Sequence, residues 1–141
     1  MEDFVTYEQA QRLKALGFDW DCMKGYSHFP GESVRTLNAQ EENINGKYSK
    51  WCYSAPTLAQ AQKWLREVKG VVISVIFKDK NDHHFPNMYY WKEDFLPICK
   101  ERGPQWRDWF IYGEHPIRDT YEQALSDGIT KMLELISYGK I

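Results

Sequence analysis

The clearest pattern of apolar and polar positions lies between Thr57 and Phe77 and predicts a helix followed directly by a strand. Residues that recur at steps of three and four give the helix one apolar face: Leu58, Ala61, Trp64, Leu65 and Val68. Gly70 then stands where many helices end in a left-handed residue. Residues 71–77 are apolar and β-branched at odd and even positions alike, which is typical of a central strand covered on both faces.

Three similar tetrapeptides predict where the helices begin. Each of Thr6–Gln9, Thr57–Gln60 and Thr120–Gln123 starts with threonine and has glutamine three residues later. In such a capping box the threonine hydroxyl and the glutamine amide satisfy free backbone amides of the first helical turn. Thr-Tyr-Glu-Gln-Ala occurs twice, but the intervening segments do not match, so we interpret the likeness as one helix start used several times.

The segments before the central helix predict a hairpin. Residues 22–29 alternate as a strand does, although neither side is cleanly apolar. Asn45-Gly46 favours a tight turn into a second strand over residues 48–53. The partner of that strand is either residues 34–37 or a shorter strand that ends at Ile44.

The polar residues 38–46 have two interpretations. A stretch of this composition between two strands is typical of a mobile loop tip. The alternative is a loop that binds a partner, since exposed loops often carry function.

Two aromatic runs and a final helix complete the prediction. Residues 88–92 and 106–112 are rich in sheet-forming rings and predict two further strands. The last segment has a broad apolar face of helical spacing: Tyr121, Ala124, Leu125, Ile129, Met132, Leu133 and Ile136.

The predicted order is α-β-β-α-β-β-β-α. We therefore expect an α+β fold with two layers, in which helices cover an antiparallel sheet. The 141 residues are enough for one domain with a real core. Within a single domain 1–141, residues 1–56 supply a helix and a hairpin, and residues 57–141 form an α-β-β-β-α core.

Charge, termini and cysteines bound the function. The net charge of −2 has both signs interspersed and no basic run, so nucleic acid is an unlikely partner. The longest apolar run is far shorter than the ~20 residues of a membrane helix, so we expect no membrane association. The start of the chain lacks a signal peptide, and three cysteines (Cys22, Cys52 and Cys99) fit reduced thiols, so we expect a cytoplasmic protein.

Two helix starts carry a resemblance to a known group. The sequences TLAQAQKWLRE at Thr57–Glu67 and TYEQAL at Thr120–Leu125 are similar to small uncharacterised proteins of prophages and mobile elements in anaerobic gut bacteria. The resemblance implies a phage-related cytoplasmic accessory protein. It implies no catalytic residue.

Candidate catalytic and metal-binding groups are few. Cys22, His28 and Cys52 converge if their strands pair, which would suit a small enzyme or ligand-binding protein with a Cys/His site. Their spacing matches no metal-ligand pattern, and adjacent histidines such as His83-His84 point to opposite faces of a strand. The sequence also lacks a phosphate-binding loop and a nucleophile elbow, so we predict a non-enzymatic protein without metal or cofactor.

The order helix, three strands, helix resembles double-stranded-RNA-binding domains in topology. Those domains place lysines at the start of the final helix, where they meet phosphates. The corresponding segment Arg118–Glu122 is nearly neutral here. Nucleic-acid binding is therefore kept as an alternative only.

The aromatic rings of the last two predicted strands are the candidate binding surface. Large aromatic residues with a nearby arginine suit a protein contact, and the residues chosen are Tyr89, Trp91, Arg107 and Trp109. The competing interpretation is that the N-terminal helix and hairpin cover these rings. We predict an unknown protein partner, with the chain itself a monomer or a homodimer.

Overall fold

The structure, a computed structural model, describes residues 3–46, 50–77, 84–91, 109–111, 118 and 120–139. For residues 76–77, 84–91 and 109–111 it describes the backbone. The elements in chain order are α1 (Tyr7–Ala15), β1 (Cys22–Ser27), β2 (Arg35–Glu42), β3 (Cys52–Ala55), α2 (Leu58–Lys69), β4 (Val71–Phe77), β5 (His84–Trp91), β6 (Trp109–Ile111) and α3 (Tyr121–Ser137).

The α+β fold class is confirmed, and the elements of the described residues differ from the predicted order by one added strand. The predicted hairpin is a three-stranded sheet, because β1 pairs with both β2 and β3. The strand predicted over 34–37 extends to Glu42, through residues interpreted as a loop. The strand predicted over 48–53 is found at Cys52–Ala55, and residues 47–49 lie outside the described part of the chain.

The chain forms two compact units, and in the part of the chain that the structure describes each contains one antiparallel three-stranded sheet. The first comprises Met1–Ala61 and Leu133–Lys140 and contains the sheet β2-β1-β3. The second comprises Gln62–Met132 with Ile141 and contains the sheet β4-β5-β6. That the whole chain is one domain stays a prediction.

In the first unit, local side-chain bonds cap the start of α1. The Thr6 hydroxyl accepts a hydrogen bond from the backbone N of Gln9 at 3.2 Å, and the Gln9 side-chain oxygen accepts one from the backbone N of Thr6 at 2.8 Å. This is the predicted capping box. The buried side chains of the helix include Ala10 and Leu13, at the three-residue spacing of one helical face.

The start of α2 shows the same box. Thr57 Oγ1 accepts from Gln60 N at 3.1 Å, and Gln60 Oε1 accepts from Thr57 N at 2.9 Å. The predicted apolar face is buried from Leu58 to Leu65, whereas Val68 in the last turn is 52% exposed. Gly70 has a φ of 69°, which ends the helix as predicted.

In the second unit, β4 follows α2 at once and pairs with β5, which pairs with β6. Val71 and Ile73 are buried, and Gln62 Nε2 of α2 donates to the Ile73 carbonyl at 2.7 Å. Within the described residues, the elements of this part of the chain follow the predicted order α-β-β-β-α. The fully or nearly fully buried apolar residues of α3 are those of its predicted face: Ala124, Leu125, Ile129, Met132 and Leu133.

Candidate functional site

An irregular bulge in β2 distinguishes the first sheet. Cys22 is opposite Glu42 and Lys24 is opposite Asn38, so two steps along β1 correspond to four along β2. Gln40 and Glu41 absorb the extra length with φ angles of 53° and 61°. Residues other than glycine rarely adopt this left-handed backbone conformation, and each residue that does costs roughly 1–3 kcal/mol of stability.

A local side chain supports the bulge. Asn38 Oδ1 accepts a hydrogen bond from the backbone N of Gln40 at 2.9 Å. This bond satisfies a backbone donor that the ladder no longer pairs. Asparagine commonly forms such a bond two residues ahead along the chain. The sequence therefore holds the strained conformation in place.

The bulge borders a groove, here called the β2 groove, with a volume of about 370 Å³. Its floor is apolar, because Ala39, Ile44 and Cys52 form a buried cluster and Leu37 packs against it. Amide and carboxylate side chains stand at the rim. The lining residues are Leu37, Asn38, Ala39, Gln40, Glu42, Ile44 and Cys52.

The chain after β2 closes one end of the β2 groove by crossing over Gly25. A Cβ atom at Gly25 would collide with Ile44 Cδ1 and lie 2.8 Å from the Tyr53 carbonyl oxygen. Ile44 is anchored there, because its amide N donates to the Ser54 hydroxyl at 3.0 Å. Only glycine at position 25 leaves room for this crossing.

The backbone of β1 alternates between its two neighbours. In an antiparallel sheet, successive residues of a central strand direct their N–H and C=O groups to opposite sides. His28 N, just past β1, donates to the Trp51 carbonyl at 2.9 Å, so the even-numbered residues of β1 bond to β3. The odd-numbered Gly25 therefore bonds to its β2 partner, Leu37.

It follows that β2 has an open edge. Thr36 and Asn38 lie on either side of Leu37, so their backbone groups point away from β1. Both residues are exposed, and β2 is the edge strand of its sheet. No residue in the described ranges pairs with these outward backbone groups.

The opposite edge, formed by β3, is covered. Lys14 Nζ donates to the Cys52 carbonyl at 2.7 Å and to the Lys50 carbonyl at 3.1 Å. Ser54 N donates to Asn45 Oδ1 at 2.8 Å. Side chains thus occupy backbone groups of β3 that another strand would need.

A cluster of rings joins the start of α1 to β1 and β3. Tyr7 Oη and His28 Nδ1 are 2.9 Å apart, and the Tyr7 ring packs edge-on against Tyr26 and Tyr53. Burial, and then the neighbouring Tyr53 phenol, raise the pKa of Tyr7, so Tyr7 is a neutral phenol at pH 7. The four rings are half-buried, and the contacts direct His28 to a tyrosine.

The site suggested around Cys22, His28 and Cys52 is not formed. Cys52 is opposite Ser27, whereas Cys22 is five residues back along β1, about 17 Å away at ~3.3 Å per residue. Alternation also places Cys22 and Ser27 on opposite faces of the sheet. Burial, and then Asp21, raise the pKa of the Cys22 thiol to about 12, which makes it inert near neutral pH.

The described residues offer no other cluster for metal binding: no three histidine, cysteine or acidic side chains are grouped as ligands within them. His83 and Cys99 lie outside the described residues. Arg118, near the start of α3, forms an ion pair with Asp127 at 2.6 Å, so this cation is already engaged.

The predicted aromatic surface is placed through its backbone. Tyr89 and Trp91 lie in β5 and Trp109 in β6, and Trp91 is the register partner of Trp109. Arg107 lies outside the described residues. Contact of these residues with a partner stays a prediction.

The β2 groove and the open β2 edge were not predicted as a site. The available signal was the alternative interpretation of residues 38–46 as a partner-binding segment. Those residues form the bulge, the groove rim and the crossing over Gly25. The residues expected to carry function were instead the large rings.

Comparison with protein-family models, with curated proteins and with solved structures finds no match for this chain. Among the helices in the described ranges, none is both long and apolar enough to span a bilayer.

Proposed function

We propose that the protein is a non-enzymatic binding module that acts through protein contacts, and that its contact surface is the open β2 edge with the β2 groove beside it. The proposal places the protein in the cytoplasm. An accessory role on a prophage or mobile element is part of the same proposal, suggested by the sequence resemblance alone.

The observation that carries the proposal is the difference between the two edges of one sheet. Sheet edges readily pair with other chains, and proteins usually protect them. Here Lys14 and Asn45 cover backbone groups of β3, whereas Thr36 and Asn38 leave theirs exposed on β2. An exposed edge of this kind accepts an added strand through main-chain hydrogen bonds.

The β2 groove supplies selectivity to such a contact. In strand addition, pockets beside the edge receive alternate side chains of the added strand. The volume of about 370 Å³ falls within the usual range for ligand pockets. Its floor of Ala39, Ile44 and Cys52 suits an apolar side chain.

The lining chemistry favours binding over catalysis. A cysteine nucleophile needs an adjacent base, commonly histidine, to be activated. The residues lining the β2 groove include the thiol of Cys52 but neither histidine nor lysine. The free thiols of Cys22 and Cys52 agree with a reducing compartment.

Site-specific photo-crosslinking in cells that produce the protein naturally tests the proposal. A benzophenone side chain replaces Thr36 on the open edge or, as control, Gln11 on the exposed face of α1. We expect a polypeptide adduct from position 36 and none from position 11. The absence of an adduct from position 36, or equal adducts from both positions, would contradict the proposed function.

A further inference from the structure

We infer that the strand added to β2 is β2 of a second copy of this chain, paired antiparallel about a two-fold axis at Asn38. This inference rests on the proposed function and names its partner. Three features of β2 support it: the direction of its backbone groups, the order of its charges and the position of its apolar residues.

The backbone permits such a pair. A two-fold axis at Asn38 places this residue opposite its own copy and Thr36 opposite Gln40. Asn38 directs its N–H and C=O outward, so the two central residues exchange both hydrogen bonds. The left-handed residues Gln40 and Glu41 then end the regular ladder.

The charges of β2 are self-complementary. The strand begins with Arg35 and carries Glu41 near its end, and both side chains are exposed. In the register centred on Asn38, Arg35 of each copy lies beside the end of the other copy's regular ladder, where the bulge carries Glu41. The two residues are not a regular cross-strand pair, but their opposite charges lie at the same end of the paired strands and attract each other, and the two-fold axis repeats this contact at the other end.

The apolar residues coincide in the same register. Leu37 of one copy is opposite Ala39 of the other, and both residues line the β2 groove. Directly opposite residues lie on one face of an antiparallel pair. The two groove floors therefore meet across the axis and bury apolar surface on one side of the combined sheet.

Association stops at two copies. Pairing through β2 leaves β3 at both outer edges of a six-stranded sheet. Those edges are covered by Lys14 and Asn45, which disfavours further strand addition. One short strand from each copy is a small interface, so we expect a dimer that dissociates on dilution.

Sedimentation equilibrium over a concentration series tests the inference. The wild-type chain should approach twice its monomer mass of 16.8 kDa at high concentration. Arg35→Glu or Glu41→Arg alone should each weaken the dimer about tenfold, because two attractive pairs become repulsive. An equimolar mixture of the two variants should dimerise again, because every facing pair is then of opposite charge.

Thr36→Pro tests the backbone part, with Thr36→Ala as its control. The proline removes only an outward N–H, and edge strands tolerate proline, so the sheet should fold while the dimer is lost. Thr36→Ala should dimerise as the wild type does. A dimer whose dissociation constant changes neither with the proline nor with the charge reversals would overturn the inference.

The proposed function can survive failure of this inference. A chain that stays monomeric at all concentrations overturns self-pairing. If position 36 then captures a different polypeptide in cells, the open edge is still a contact surface. If it captures nothing, both proposals fall.

Discussion

Replacing Gly25 by alanine tests the crossing that closes the β2 groove. The added Cβ would overlap Ile44 Cδ1 and lie 2.8 Å from the Tyr53 carbonyl oxygen. The Tyr53 carbonyl does not move easily, because Tyr53 lies in the β1–β3 ladder, whereas Ile44 Cδ1 is the end of a side chain and can shift only as far as its buried cluster allows. Overpacking of this kind costs roughly 1–3 kcal/mol.

Part of that cost is offset, because alanine loses less backbone entropy than glycine on folding, by about 0.5–1 kcal/mol. We therefore expect Gly25→Ala to lower the free energy of unfolding by about 1–2 kcal/mol. Urea denaturation followed by tryptophan fluorescence measures this change.

A double-mutant cycle with Ile44→Val identifies the cause. This change removes the Cδ1 atom that meets the new methyl group and by itself costs roughly 0.5–1.5 kcal/mol. In the Ile44→Val background, Gly25→Ala should cost less than in the wild type, since only the Tyr53 carbonyl still opposes it. An unchanged cost, or a neutral Gly25→Ala, would refute the described packing.

Three further changes probe separate features by simple measurements. Thr57→Ala should cost about 1 kcal/mol of unfolding free energy in urea and Thr57→Ser much less, because serine keeps the capping oxygen; equal costs would contradict the capping role. Lys14→Met should cost about 1–2 kcal/mol and promote aggregation seen by light scattering, because the carbonyls of β3 lose their charged donor; unchanged stability and solubility would contradict this. Since burial raises the Cys22 pKa from 9.0 to about 12, its stabilising contribution is complete below about pH 9 and lost as the pH rises toward 12. Peptide mapping should therefore find Cys22 unmodified by iodoacetamide at pH 8 in the folded protein, and modification as fast as in urea would contradict this.

Local patterns predicted the helices well. The capping boxes at Thr6 and Thr57 form as expected, because donor and acceptor are three residues apart and need no distant partner. The run from Leu58 through Phe77 also forms the predicted helix and strand, since helical spacing and a β-branched run are strong local signals. The prediction of a central strand was wrong, because β4 is an edge strand in the sheet β4-β5-β6 that the described residues form.

The strand β2 could not be predicted in the same way. In its sequence RTLNAQEE only Leu37 and Ala39 alternate with polar residues, so the local signal predicted a strand as far as Leu37 but did not distinguish the rest from a loop. Pairing with β1 forms it, and distant side chains fix the segment that follows. Asp21 accepts from Asn43 N at 3.0 Å, and Asn45 Nδ2 donates to the Phe18 carbonyl at 3.0 Å.

The candidate site was missed for a related reason. Large rings and cysteines are the usual signals of a surface or a reactive centre, and they directed attention to Trp91, Trp109 and Cys22. An open edge is a property of pairing: it depends on which backbone groups of Thr36 and Asn38 find partners. The amino-acid composition does not show which backbone groups will find partners.

Amide hydrogen exchange at single residues is the most direct test that the β2 edge is open and used. In dilute protein, Thr36 and Asn38 should exchange quickly, whereas Ser54 is protected by its bond to Asn45. At high concentration, exchange at Asn38 should slow while exchange at Ser54 stays the same. Protection of Thr36 and Asn38 in dilute protein, or exchange that does not respond to concentration, would contradict self-pairing through this edge.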